Sequence, residues 1–156
     1  MISIRKGYNL LLLSSATMIE ITTLVLAEEK FDFGEVEVAL KLANLAKNIS
    51  NCPNLDKYRA AYKVHLASIT KKTNNLEEID LAVLGLKNND PSTYSTDKIA
   101  YRYRKLAMLL HPNVNSLCAA PSAFQHITKA RHERSLTDAP RGGMLLLPPS
   151  KRYKVV

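Results

Sequence analysis

The sequence predicts an all-α protein. Apolar residues return every three or four positions through most of the chain, the period of a helix with one buried face. Five Gly, few aromatics and no Trp leave little material for a turn-rich β sandwich. The hydrophobic share of 46% argues against wholesale disorder. At 156 residues the chain fits one domain, or two small helical modules sharing a core.

The N-terminal region, residues 1–75, reads as a helical hairpin or three-helix unit. A first helix is expected over 17–31, although Thr22, Thr23 and Val25 weaken its propensity. Phe31-Asp32-Phe33-Gly34 reads as the turn that ends it. A second helix follows over 35–49, with Val36, Ala39, Leu42, Ala43, Ala46 and Ile49 on one apolar face. Residues 48–54, with Pro53 inside, form a break. Leu55, Tyr58, Ala61, Tyr62 and Ile69 give a third helix its face, and the polar run 70–75 ends it. Such a helical pair could in principle hold a peptide groove. Plain packing is the simpler reading, because one pair cannot build the extended concave surface of repeat proteins.

A second module is expected over 76–138. Residues 77–86 form a short helix stopped near Gly85, and 87–92 read as a loop on composition. Ser95 or Thr96 suits the N-cap of the next helix, and Asp97 complements its positive end. That helix, over 97–110, is the best-patterned segment of the chain. Ile99, Tyr103, Leu106, Ala107 and Leu110 share a face, while Lys98, Arg102 and Lys105 stack as a separate basic stripe. Pro112 disfavours helical geometry at His111 and marks the end. A last helix starts near 119–121 and turns Phe124, Ile127 and Ala130 inward. Residues 139–156, broken by Gly142-Gly143 and Pro148-Pro149, read as a flexible tail that is basic at Lys151, Arg152 and Lys154.

Charge divides the chain. Residues 1–96 carry eleven Lys/Arg and eleven Asp/Glu, so the whole net charge of +8 resides in 97–156. A neutral front and a basic back imply that the back faces something acidic: nucleic acid, anionic membrane or an acidic protein surface.

The second module resembles a J domain, the module with which DnaJ-type co-chaperones switch on the ATPase of a DnaK-type heat-shock chaperone. Asp80-Leu81-Ala82-Val83-Leu84-Gly85-Leu86 looks like the opening of the first J helix. Tyr103-Arg104-Lys105-Leu106-Ala107 running to His111-Pro112 is similar to the second, and Ala123-Phe124, Ile127 and Ala130 match the third. The helical region preceding them, from Ala27 to Ala67, looks like the one that precedes the J domain in a plant J-protein group.

The resemblance implies a docking surface formed by Lys98, Arg102, Arg104, Lys105, His111, Pro112 and Asn113, with a DnaK-type chaperone as partner and a client polypeptide as a second. It also exposes departures. The family signature is His-Pro-Asp, and Asn113 stands where its aspartate contacts an arginine of the chaperone. Asn can accept a hydrogen bond but cannot form the charge-assisted pair, so weak or absent ATPase stimulation is expected. Arg131 and Arg134 stand where the family's third helix normally continues with an aromatic and a leucine, so either its end packs poorly or the sequence has diverged there. Leu136-Thr137-Asp138 resembles the family's helix ending but arrives two residues late.

Other chemistry is less well supported. Non-specific nucleic-acid binding by the basic C-terminal third is the main competitor, giving salt-dependent affinity. Aromatic interleaving is poor there, since Tyr103 and Phe124 are needed in the core. Cys118, His126 and His132 lack the spacing of paired zinc ligands, and His65 reads as a packed or surface residue. No cofactor or metal is expected. With no Gly-rich phosphate loop, nucleophile elbow or metalloprotease pattern, no enzyme is expected. Cys52 and Cys118 are expected as free thiols in a reducing compartment, cytoplasmic or nuclear. Arg5 and Lys6 before Leu10–Leu13, with Ser14-Ser15-Ala16 following, give a weak signal-peptide-like start. No segment has the uncharged length needed to span a bilayer.

Overall fold

The computed structural model describes residues 15–50, 52, 54–70, 76–86 and 94–137, and every regular element among them is helical. In chain order these are α1 (Ser15–Asp32), α2 (Val36–Ile49), α3 (Leu55–Thr70), α4 (Leu76–Val83), α5 (Thr96–Leu110) and α6 (Ala120–Thr137). The all-α fold class is as the periodicity predicts. The weak signal-peptide-like start, the loop over 87–92 and the basic tail from 139 lie outside the described residues. No described helix is long and apolar enough to cross a membrane.

Two glycines punctuate the chain by the same device. Gly34 has φ 81° and Gly85 has φ 70°, a region in which side chains bearing a Cβ are strained. At the end of α1, Gly34 N–H donates to the Phe31 carbonyl and Glu35 N–H to the Lys30 carbonyl, both at 2.9 Å. At the end of α4, Gly85 N–H reaches Ala82 at 2.9 Å and Leu86 N–H reaches Leu81 at 2.8 Å. These paired bonds cover carbonyls that a helix end otherwise leaves bare. Leu86 and Leu81, brought together by that turn, are both buried.

Alanines set the packing of the N-terminal helices. Ala27 of α1 and Ala39, Ala43 and Ala46 of α2 are all fully buried, and such short side chains let helix axes approach closely. Helix α3 packs against α2 on one side and against α4, α5 and α6 on the other. Tyr62, the largest fully buried side chain, lies with its ring centroid 5.4 Å from that of Phe31. A single apolar cluster runs from Ala27 through Tyr62 and Val64 to Leu81, Leu110 and Ile127. The core is therefore continuous across residue 76.

Two positions read as core are not. Ile69, in the last turn of α3, is 62% exposed, and Ile49, at the end of α2, is 37% exposed. Helix α3 is covered by α2, α4, α5 and α6 rather than along the one stripe its sequence suggests. Ala60 and Val64, off the expected stripe, are buried in place of Ile69.

Candidate functional site

The site begins with the placement of α5. Ser95, in the N-cap position, has extended backbone, and its carbonyl accepts from Lys98 N–H at 2.9 Å and Ile99 N–H at 3.2 Å. Its hydroxyl makes no capping bond. Ile99 and Leu110 are buried, while Tyr103, Leu106 and Ala107 are partly buried against the core. That leaves the basic stripe outward.

Lys98, Arg102 and Lys105 are all exposed. Each is held by a local contact. The Lys98 ammonium stands 4.9 Å from the Tyr94 ring centroid and that of Lys105 stands 5.1 Å from Tyr101. Arg102 Nη2 donates to the Gly85 carbonyl at 3.3 Å, tying α5 to the end of α4. Arg104 is exposed too, but it does not join the stripe. Six positions beyond Lys98, it lies about 120° around the helix.

The helix ends where Pro112 requires it. His111 has φ −58° and ψ 129°, extended as suits a residue before proline, while its N–H still donates to Ala107 at 2.9 Å. The His111 carbonyl then accepts from both Val114 N–H and Asn115 N–H, each at 2.9 Å. Asn113 N–H donates to His111 Nδ1 at 3.2 Å, turning the ring back over the loop. The ring meets Phe124 of α6 nearly edge-on, centroids 5.3 Å apart. Pro112 and Asn113 form the exposed tip.

Two residues that shape this loop were not read from sequence. Asn115 is only 4% exposed. Its Nδ2 donates to the Leu109 carbonyl at 3.0 Å, and its Oδ1 accepts from Leu117 N–H at 3.1 Å. The second bond is an Asx turn, a preference of Asn that could have drawn attention to it. Lys57 of α3 donates from Nζ to the Val114 carbonyl at 3.0 Å. No local signal announces a partner so distant in sequence.

The arginines of α6 do not loosen its end. Arg131 stacks 4.5 Å from the Tyr103 ring centroid. Arg134 is buried and pairs with Glu77 of α4 at 3.3 Å. The long apolar stems of these arginines pack at the helix end, and their charged heads find partners in the Tyr103 ring and the Glu77 carboxylate. Of the two readings of this end, poor packing is thus corrected. Burial raises the Asp80 carboxyl above its ordinary range on the same side of α4, an effect that Arg134 opposes.

His65 of α3 is a packed histidine. Its Nε2 lies 3.0 Å from both the Ala119 carbonyl and Ser122 Oγ, and its ring stacks edge-on with Phe31 and His126. Burial lowers its pKa, with the Ala119 carbonyl opposing and His126 adding to the shift. Among the described residues, no group of three or more His, Cys, Asp or Glu is placed to hold a metal ion.

With this geometry described, comparison with known proteins adds a relative. The chain is 27% identical over 133 residues to chaperone protein dnaJ 49 of Arabidopsis thaliana. That relative is a DnaJ-type chaperone by name, and the chain is similar to it. The alignment takes in 67% of this chain, which spans 38% of that relative's length. No protein-family model matches the chain, and no solved structure does. Helices α4, α5 and α6 coincide with the three segments that resemble J-domain helices in the sequence.

Proposed function

We propose that the protein is a J-like co-chaperone or adaptor, not an enzyme, that docks on a DnaK-type heat-shock chaperone through α5 and the His111-Pro112-Asn113 loop. In this reading its stimulation of the chaperone ATPase is weak or absent. One observation supports this combination above others. The bonds that shape the loop come from the His111 carbonyl, His111 Nδ1, Asn115 and Lys57. None of them uses the Asn113 side chain, which sits at the exposed tip. The missing charge is therefore missing from the surface offered to a partner, not from the scaffold of the loop.

The basic stripe sets encounter rate and orientation on an acidic surface. The tip residue would supply the coupling contact. Removing one partner of a desolvated charge pair costs about 2–5 kcal/mol, enough to abolish coupling when other contacts are weak. The test is steady-state ATPase of a DnaK-type chaperone with native protein and with Asn113→Asp. Native protein should stimulate little, and Asn113→Asp should stimulate strongly. Clear stimulation by the native sequence sinks the loss-of-coupling reading.

A further inference from the structure

A groove of about 620 Å³ opens between α3 and α5, closed at one end by the turn that follows α4. Its floor is apolar, with Val64, Leu84 and Leu106. Met108 stands at its edge and is 74% exposed, a flexible and polarizable side chain able to pack on an apolar surface brought against it. The rim is basic. Arg102 and Lys105 come from α5, and Lys63, exposed and without an ion pair among the described residues, comes from α3. Asp56, the one carboxylate lining the groove, is already engaged by Lys47 and Arg59.

We infer that this groove receives an acidic amphipathic segment of the partner chaperone, with Lys63 of α3 and Arg102 and Lys105 of α5 flanking its carboxylates and Met108 covering its apolar side. The inference rests on the docking reading above and extends it to a helix outside the J-like segments. Charge decides among occupants. The chain's own ends are unsuited, since residues 1–14 carry Arg5 and Lys6 and residues 139–156 carry Arg141, Lys151, Arg152 and Lys154, with no Asp or Glu in either. A second copy is disfavoured because each chain carries a net charge of +8. A nucleic acid would use the rim but leave the apolar floor and Met108 uncovered.

The experiment measures affinity of the full chain for a full-length DnaK-type chaperone. Lys63→Glu and Met108→Ser alter exposed positions of the groove. Lys98→Glu alters the basic stripe outside the groove, and Lys129→Glu makes the same charge change on the exposed side of α6. Lys63→Glu and Met108→Ser should each weaken binding about fivefold, the range of one surface contact, with Lys129→Glu unchanged. If Lys98→Glu weakens binding while Lys63→Glu and Met108→Ser do not, the groove proposal falls and the docking reading stands. If Lys129→Glu weakens binding as much as Lys63→Glu, or Met108→Ser has no effect, the contact is diffuse charge and the proposal falls. If native protein does not bind the chaperone, both readings fall.

Discussion

The buried amide of Asn115 donates to the Leu109 carbonyl at 3.0 Å, fastening the loop that carries Asn113 to the last turn of α5. The same side chain accepts from Leu117 N–H on the far side of the loop. Asn115→Ala leaves both backbone groups without their partner. It should cost about 1–3 kcal/mol, the penalty for stranding buried polar groups. Urea unfolding measures it, and a loss below about 0.5 kcal/mol would show that solvent replaces the amide.

Arg134 and Glu77 form an unequal ion pair, the arginine side chain 10% exposed and the carboxylate 49%. Replacing a buried charge by an apolar residue of similar bulk is often neutral or stabilising, whereas removing its partner is not. Arg134→Leu should therefore leave the thermal midpoint unchanged or raise it. Glu77→Ala should lower stability by about 1 kcal/mol, since its solvent exposure weakens the pair. The reverse order would assign Arg134 a structural role that leucine cannot fill.

His65 makes stability depend on pH. Its pKa in the folded chain lies below the ordinary 6.5, chiefly because of burial. The folded state thus prefers the neutral ring, and the unfolded state takes up a proton first as pH falls. Stability should be full above 6.5 and decline as pH drops below it toward the depressed value. Urea midpoints at pH 7.5 and 5.5 check this. His65→Gln, which keeps a donor for Ala119, should shrink the difference, and an unchanged difference would place the titration elsewhere.

Cys118 is exposed, yet its thiol is pushed up to about 11 by burial of its surroundings and by Asp32, whose Oδ1 it faces at 3.5 Å. Only the thiolate is nucleophilic. Alkylation at Cys118 should be slow at pH 7.5 and accelerate steeply above pH 9. Asp32→Asn removes a raising charge and should speed the reaction at neutral pH. Peptide mass spectrometry after timed labelling separates Cys118 from Cys52.

What could be read from sequence was what a helix encodes locally. The apolar and basic faces of α5, the stop at His111-Pro112 and the turns at Gly34 and Gly85 each depend on residues within a few positions of one another. The tertiary roles of α3 did not follow from its own stripe. Ala60 and Val64 look no more apolar than Ile69, and only the placement of α4 and α5 decides which are covered. The same limit applies to Lys57 with Val114 and to Arg134 with Glu77. In both, a polar group is made acceptable by a partner far along the chain. Asn113 lies at the other extreme, since its place in the His-Pro-Asn loop was evident from the pattern around it, while its exposure came from the structure.

The loop tip is braced from three helices: by Asn115 on α5, by the His111 ring on Phe124 of α6, and by Lys57 of α3 on Val114. A tripod of this kind settles the direction of Pro112 and Asn113 while the chain folds. Docking then incurs little of the ordering entropy that a loose loop would lose on binding. If the proposed docking holds, a carboxylate placed at residue 113 would arrive already oriented, so its contact would not carry the cost of ordering the loop.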